Sequence, residues 1–130
     1  MDTCRRIAVV GASSDPRRPS HGVVSVLLDA GFEVVPVNPN VAAVHGIPAV
    51  PSLTEVPGRI DLVDVFRRAE HAPAIAREAV AVGAQALWLQ LGVRSEEARR
   101  IATDGGLRYV EDACLAVAVD SARHQHHGEG

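Results

Sequence analysis

The sequence predicts an α/β protein with a Rossmann-like, doubly wound and mainly parallel sheet of about five strands and helices on both faces. Short continuous apolar runs, which are typical of parallel strands buried on both faces, alternate with segments whose apolar residues recur at helical spacing. Hydrophobic residues make up 47% of the 130 residues but aromatic residues only 3%, so the core must consist of Val, Ala, Leu and Ile. Strands and helices that alternate through short connections favour right-handed crossovers.

The predicted strands follow one another with a helix or a turn between them. We expect strands over 7–10, 32–37, 62–66, 86–90 and 107–110. Between them, helical spacing begins near Val23 and Ala72, and Ser95 is a suitable N-cap for a third helix. Residues 41–58 are rich in proline, and we expect one short extended piece and one helical turn there. Pro36 cannot donate to a sheet ladder, so its strand lies at an edge or is irregular at that residue.

The length fits one domain, for which we predict residues 1–120, followed by a polar, disordered tail over 121–130. His124, His126 and His127 in this tail could attract a metal ion, but no rigid ligand set lies nearby in the sequence, so we predict no metal site. The chain shows no internal repeat and no long linker.

The composition argues against several function classes. A net charge of −3 gives no basis for binding nucleic acid or an anionic membrane surface. No apolar run approaches the roughly 20 residues that a membrane span requires. Cys4 and Cys114 form neither a disulfide framework nor a metal-binding spacing, and the N-terminus does not resemble a signal peptide. We therefore expect a cytoplasmic protein.

The candidate site lies where the predicted strands end, because doubly wound sheets bind ligands beyond the carboxyl ends of their strands. Small residues follow the first strand, an Asn-Pro pair follows the second, and basic residues accumulate in the loops of the same edge. These positions are Gly11, Ala12, Ser13 and Ser14; Asn38 and Pro39; Phe66, Arg67, Arg68 and Gln90; and Arg17, Arg18 and His21. A local basic rim on an acidic protein fits a small polyanion, whereas the alternative is that these arginines are solvated or paired with acidic neighbours.

The known nucleotide motifs fit poorly. The dinucleotide fingerprint needs G-x-G-x-x-G and an acidic residue closing the second strand, but Gly11 is followed by Ala12 and Ser13, and the second strand ends in Asn38. NAD is therefore disfavoured. The phosphate-binding lysine of a P-loop cannot be supplied, since the chain contains no lysine.

Four segments together resemble the small single-domain CoA-binding proteins, which look like the CoA-binding domain of the succinyl-CoA synthetase alpha subunit standing alone. They are VGASSDPRRPSHG over 10–22, VPVNP over 35–39, VDVFRR over 63–68 and LWLQLGV over 87–93. The resemblance covers residues 6–117, and the four segments occur in the same order with fitting separations.

The resemblance implies that coenzyme A, or a short acyl-CoA, binds at the strand ends. Gly11, Ala12 and Ser13 would then approach the phosphates with backbone groups, with Ser14 in the same turn. The 3′-phosphate or the pyrophosphate would be met by Arg17, Arg18 and His21. The nucleotide side would be shaped by Val37, Asn38 and Pro39, and the path of the pantetheine would be lined by Phe66, Arg67 and Gln90.

One element departs from the family pattern. The family closes with Asp-Arg-Cys, whereas this chain has Asp112, Ala113 and Cys114, which puts a role for that turn in doubt. Cys114 could face the thiol of CoA and form a mixed disulfide, although a lone cysteine after a strand is more often a small buried hydrophobic residue.

The sequence favours a non-catalytic binding module, because it contains no convincing set of nucleophile, base and orienting group. The alternative is a Rossmann-type enzyme that uses NAD(P) or processes an acyl-CoA. Faces rich in valine and alanine leave a homodimer or a protein partner open.

Overall fold

The computed structural model describes residues 4–129, and the side chains of residues 4–122. Seven strands and four α-helices follow one another, with short 3-10 helices at Leu53–Glu55 and Ala69–His71. The elements are, in chain order, β1 (Arg6–Val10), α1 (Pro19–Asp29), β2 (Glu33–Val37), β3 (Ala43–Val44), β4 (Ile47–Pro48), β5 (Leu62–Val65), α2 (Ala72–Ala81), β6 (Ala86–Leu89), α3 (Glu96–Asp104), β7 (Arg108–Val110) and α4 (Leu115–Glu129).

Five of the strands form one parallel sheet in the order β2-β1-β5-β6-β7, and β3 and β4 form a small antiparallel hairpin beside it. The chain builds β2 on one side of β1 and then crosses to the other side, where β5 pairs with β1. The connections therefore diverge between β1 and β5. A parallel sheet opens a crevice at the carboxyl ends of the strands at such a reversal.

Helices cover both faces of the sheet, and each face has its own apolar cluster. On one face α2 and α3 pack against each other and bury the side chains of Val63, Val65 and Leu87. On the other face α1 contacts α4 and covers Ile7 and Val9. Both clusters consist almost wholly of aliphatic side chains, as the low aromatic content predicts. Among the described residues, no helix is long and apolar enough to cross a membrane.

The predicted fold class is confirmed, and Pro36 lies in β2, the edge strand of the sheet. The sequence predicts no helix after β7, yet α4 begins at Leu115, where Leu115 and Val119 bury their side chains against α1 and β1. The helix continues to Glu129. The division into a domain over 1–120 and a disordered tail over 121–130 stays a prediction. The tail histidines lie outside the residues whose side chains are described.

Ser95 caps α3, as its position before the helical pattern predicts. Its hydroxyl oxygen accepts a hydrogen bond from the Ala98 backbone N–H at 3.1 Å, and Glu96 and Glu97 occupy the first turn, where the helix dipole favours acidic groups. The cap fixes the point at which the chain leaves the sheet edge after β6.

We expect Ser95→Ala to lower the free energy of unfolding by about 1 kcal/mol, because the N-terminal N–H groups of α3 lose their side-chain acceptor. Urea unfolding measures this loss. Thr103→Ala, which removes an exposed hydroxyl from the same helix, is the control and should change stability by less than about 0.5 kcal/mol. Equal effects of the two variants would contradict the role of the cap.

Candidate functional site

A cavity of about 810 Å³ opens at the carboxyl edge of the sheet, in the size range of small-molecule sites, roughly 300–1,000 Å³. Its walls come from the loops after β1, β2, β5 and β6, from the first turn of α1 and from the residue before α4. The lining residues are Gly11, Ser13, Arg18, Pro19, Ser20, Val23, Asn38, Phe66, Arg67, Arg68, Ala69, Gln90, Leu91, Gly92, Val93 and Cys114. The cavity thus occupies the crevice that the strand order creates.

Gly11 lets the chain turn tightly as it leaves β1. Its φ of 86° lies in the left-handed region, and a Cβ atom at this position would stand 2.7 Å from the carbonyl oxygen of Phe66. The side chain of Arg67 passes over the same point, with its Cδ 3.1 Å from that Cβ position. Only glycine allows the loops after β1 and β5 to approach this closely.

The loop after β1 is held by internal hydrogen bonds. The N–H of Gly11 donates to the Val37 carbonyl, and that of Ser13 donates to the hydroxyl of Ser20, a buried residue in the first turn of α1. From the end of β2, Asn38 donates through its amide nitrogen to the Ala12 carbonyl at 2.9 Å. The backbone N–H groups of Gly11 and Ser13 therefore already have acceptors within the protein.

The four arginines of the basic rim differ in whether they line the cavity or pair with an acidic neighbour. Arg18, Arg67 and Arg68 line the cavity, and Arg68 lies 3.7 Å from an exposed carboxylate oxygen of Glu70. Among the described side chains, neither Arg18 nor Arg67 has a carboxylate within salt-bridge distance. Arg17 instead pairs with Asp15, whose carboxylate accepts both its Nε and Nη2 hydrogen bonds.

The Arg17 guanidinium holds the pKa of the Asp15 carboxyl below its ordinary value, chiefly through its side-chain hydrogen bonds and then through the Arg17 backbone N–H. The Asp15 carboxylate therefore fixes the conformation of this turn. Pairing with an acidic neighbour, the alternative to a ligand-binding role, is thus found for Arg17 with Asp15. Arg68 pairs with Glu70 only at the longer distance of 3.7 Å and still lines the cavity.

Six predicted site residues lie outside the cavity lining. Ala12 and Val37 are buried in the two apolar clusters, and Ser14 and Pro39 belong to the flanking turns. Arg17 is held by Asp15. His21 stacks on His45 with ring centroids 3.9 Å apart, and the His45 Nε2–H donates to the His21 carbonyl. The contacts of these residues with a ligand remain a prediction, as do those of Gly11, Ser13, Arg18, Asn38, Phe66, Arg67 and Gln90, which do line the cavity.

Nine lining residues were absent from the predicted set. Arg68 was recognised only as part of the basic rim, and Cys114 only as a candidate thiol. The others are Pro19, Ser20, Val23, Ala69, Leu91, Gly92 and Val93. Five of them, Pro19, Ser20, Leu91, Gly92 and Val93, lie within the segments that carry the family resemblance but were not chosen as ligand contacts, and Ala69 directly follows the third segment. Val23 required knowledge of which face α1 turns toward the sheet.

Asp64 and Gln90 form a buried polar pair beside the cavity. Asp64 is 0% exposed in the middle of the sheet, and Gln90, the residue after β6, is 5% exposed. The Gln90 Nε2 donates a hydrogen bond to Asp64 Oδ1, whereas Oδ2 is buried without a partner among the described residues. Burial raises the pKa of the Asp64 carboxyl to about 7, and the Gln90 hydrogen bond opposes that rise.

Asp112 holds the closing turn of the site. Its carboxylate accepts hydrogen bonds from the Gly92 backbone N–H at 2.7 Å and from the Arg94 guanidinium at 2.6 Å. These two donors keep the pKa of the Asp112 carboxyl below its ordinary value. Asp112 has a φ of 53°, an uncommon conformation for a residue other than glycine. The turn that carries Cys114 is therefore tied to the loop after β6, although the arginine of the family pattern is missing.

The comparison with protein families agrees with this geometry. A family model described as a CoA binding domain matches residues 5–120. The chain belongs to this family of CoA-binding domains. A relative from Bacillus subtilis, the uncharacterised protein YneT, is 44% identical over 118 residues, which cover 91% of this chain and 87% of YneT.

One solved structure and one further relative extend the comparison. A hypothetical protein from Pyrococcus horikoshii superposes with a TM-score of 0.86 at 33% identity, covering 88% of this chain and 81% of that one. The alpha subunit of an ADP-forming acetate–CoA ligase from Pyrococcus furiosus is 42% identical over 59 residues, which are 45% of this chain and 13% of the subunit. The chain therefore resembles one part of a much larger ligase subunit.

We expect Gly11→Ala to destabilise the protein by about 1–3 kcal/mol more than Gly31→Ala does. Both glycines have a positive φ, so both variants carry a backbone cost, but a Cβ at Gly31 meets nothing within 4 Å. The excess therefore reports the collision with Phe66, and urea unfolding of the two variants measures it. Equal destabilisation would show that the approach of the two loops is not tight.

The stability of the unliganded protein should fall as pH rises from about 5 to 8, through Asp64. Its folded-state pKa lies above its ordinary value of 3.8, so in this interval the folded protein holds a proton that is released on unfolding. We expect the free energy of unfolding of the wild type, relative to Asp64→Asn, to decrease by about 2–3 kcal/mol over that range. Urea unfolding at both pH values measures it, and a difference that stays constant or grows with pH would contradict the assignment.

Proposed function

We propose that this protein binds coenzyme A, or a short acyl-CoA, in the cavity at the carboxyl edge of its sheet, and that it does so without catalysing a reaction. The observation that carries the proposal is the meeting of three arginines, Arg18, Arg67 and Arg68, around this cavity in a chain whose family is a CoA binding domain. The protein as a whole is acidic, so this concentration of guanidinium groups is local.

The phosphates fit the end of the cavity formed by α1. The helix has no acidic residue in its first turn and no side-chain cap, and Pro19 occupies its first position. The positive end of its dipole is therefore uncompensated by the helix's own side chains. Arg18 and Arg67 add fixed positive charge close to this end, and guanidinium groups bind phosphate oxygens in a bidentate manner.

The pantetheine arm fits the part of the cavity with apolar walls. Phe66, Val23 and Val93 supply apolar surface there, and Gln90 supplies a polar group. An arm that alternates methylene groups with amides needs this combination of walls. Cys114 lies in the same lining, so the thiol or thioester end of the ligand could come to rest beside it.

The side chains around the cavity favour binding over catalysis. The Ser20 hydroxyl accepts from the Ser13 backbone, and the Ser13 hydroxyl accepts from the Asp15 backbone. His21 stacks on His45 and does not line the cavity, so it is not placed to activate either hydroxyl. Asp64 lies behind Gln90, without a place in the lining.

We expect the double variant Arg18→Gln, Arg67→Gln to bind CoA about 10- to 100-fold more weakly than the wild type, since each removes a charge-assisted hydrogen bond. Isothermal titration calorimetry measures the affinity, and the ligand-induced rise in melting temperature gives an independent reading. The control Arg99→Gln, Arg100→Gln removes the same charge from the exposed surface of α3 and should leave the affinity within about threefold.

The same titration separates the proposal from its alternative. CoA should bind more tightly than NAD, NADP or ATP, and the loss in the double variant should be smaller for dephospho-CoA if one arginine holds the 3′-phosphate. Tighter binding of NADP than of CoA would instead favour a dinucleotide-dependent enzyme. Equal affinities of the double variant and the wild type would show that the arginines do not hold the phosphates.

A further inference from the structure

We propose that Asp64 is a positioning residue for ligand recognition: through its hydrogen bond with Gln90 it turns the Gln90 amide oxygen toward the cavity, where that oxygen accepts a hydrogen bond from an N–H or hydroxyl donor on the ligand. The amide groups of a pantetheine arm are donors of this class. The inference rests on the proposed function for the identity of the ligand, and its test separates the two.

The geometry places the pair between the core and the cavity. In the sheet register, Asp64 on β5 lies between Val9 on β1 and Trp88 on β6. Gln90 follows Trp88 by two residues, so its side chain emerges on the same face of the sheet, one step closer to the strand ends. Gln90 lines the cavity and Asp64 does not, so a ligand can touch the glutamine but not the carboxyl group behind it.

An ionised carboxylate can only accept hydrogen bonds. Gln90 must then direct its Nε2 toward Asp64, which is the arrangement in the structure, and its Oε1 is left for another donor. No donor to Oε1 is found among the described residues, and Oε1 is not among their buried polar atoms that lack a partner. Ionised Asp64 therefore makes the wall of the cavity a hydrogen-bond acceptor at Gln90.

A protonated Asp64 would allow the opposite arrangement. Its hydroxyl could donate to Gln90 Oε1, and the glutamine NH₂ group would then face the ligand as a donor. Asp64 Oδ2, which is buried without a partner among the described residues, is a second oxygen that can carry the proton. Because burial brings the pKa of Asp64 to about 7, both charge states are accessible near neutral pH.

Few other groups near this end of the cavity titrate or carry charge. Val9 and Trp88 flank Asp64 within the sheet, and Leu115 of α4 lies in the same apolar cluster. At this end of the cavity the charged or titratable side chains described are Arg18 and His21 at α1, Arg67 and Arg68 after β5, and Cys114 before α4. The elements packed around Asp64 also carry Arg6 on β1, Asp29 on α1 and Asp120 on α4. Comparison of the wild type with Asp64→Asn for the same ligand cancels their effects, and those of the ligand's phosphates, and leaves the effect of Asp64.

The test titrates the wild-type protein and Asp64→Asn between pH 6 and 8.5 with CoA and with 3′,5′-ADP, which carries the 3′-phosphorylated nucleotide without the outer phosphate and the pantetheine arm. If only the ionised Asp64 supports arm binding, the CoA affinity of the wild type relative to that of Asp64→Asn should fall about tenfold from pH 8 to pH 6, and the same ratio for 3′,5′-ADP should stay constant. Titrations in buffers of different ionisation enthalpy should show that CoA binding near pH 7 releases more protons from the wild type than from Asp64→Asn. A CoA ratio that is constant or rises as pH falls would overturn the inference.

Three variants examine the pair itself. Asp64→Asn still offers an amide oxygen to Gln90 but cannot titrate, so its CoA affinity should lack the loss between pH 8 and pH 6 that Asp64 causes in the wild type. Gln90→Leu should lower CoA affinity about 3- to 10-fold, leave 3′,5′-ADP affinity within twofold and also abolish the pH dependence. Asp104→Asn, at an exposed carboxylate at the end of α3, is the matched control and should retain the wild-type profile.

The outcomes distinguish the two proposals. If neither CoA nor 3′,5′-ADP binds the wild type, the proposed function itself fails. If both bind but Asp64→Asn retains the wild-type pH profile, CoA binding stands and the positioning role of Asp64 is wrong. If Asp64→Asn does not fold, the wild-type pH profile and the Gln90→Leu variant still decide the matter.

Discussion

The rest of the structure depends on the parallel sheet and on the reversal of the strand order at β1. Parallel strands bring all their carboxyl ends to one edge, and the order β2-β1-β5-β6-β7 sends the connections apart between β1 and β5. The loops after these two strands cannot close over each other, so a crevice remains between them. Gly11 then allows the two loops to approach as closely as the crevice permits, because a side chain there would collide with the Phe66 carbonyl.

Polar groups inside the fold serve two different purposes. One group of side chains fixes the backbone of neighbouring loops through hydrogen bonds: Asn38 donates to a carbonyl oxygen, whereas Ser20 and Asp112 accept from N–H groups. Together these hydrogen bonds define the shape of the rim. Asp64 has no such structural use, since one of its oxygens lacks a partner and its burial opposes ionisation. A buried carboxyl that costs stability without fixing the backbone is most simply explained by a role in recognition, which is transmitted through Gln90.

The comparisons and the geometry address different aspects of function. Membership of a family of CoA-binding domains supports coenzyme A as the proposed ligand, and the similarity of 59 residues to 13% of a ligase subunit relates part of this chain to a larger protein. The geometry adds which side chains surround the cavity, and it separates Arg18 and Arg67 from Arg17, which is engaged by Asp15. Charge alone could not make that distinction, because the three residues are chemically identical and two of them are adjacent in the chain.

The amino-acid sequence by itself determined the fold class, the approximate positions of the five sheet strands and the edge of the sheet where the candidate cavity lies. Continuous apolar runs, helical spacing and helix-ending glycines are local patterns, and parallel topology then places the residues after each strand on one edge. The tertiary structure alone decided that α4 packs on α1, that His21 stacks on His45, and that Asp64 lies beside Gln90. These contacts depend on side-chain direction and on pairing across strands far apart in sequence, as with the 26 residues that separate Asp64 from Gln90, and no local pattern encodes them.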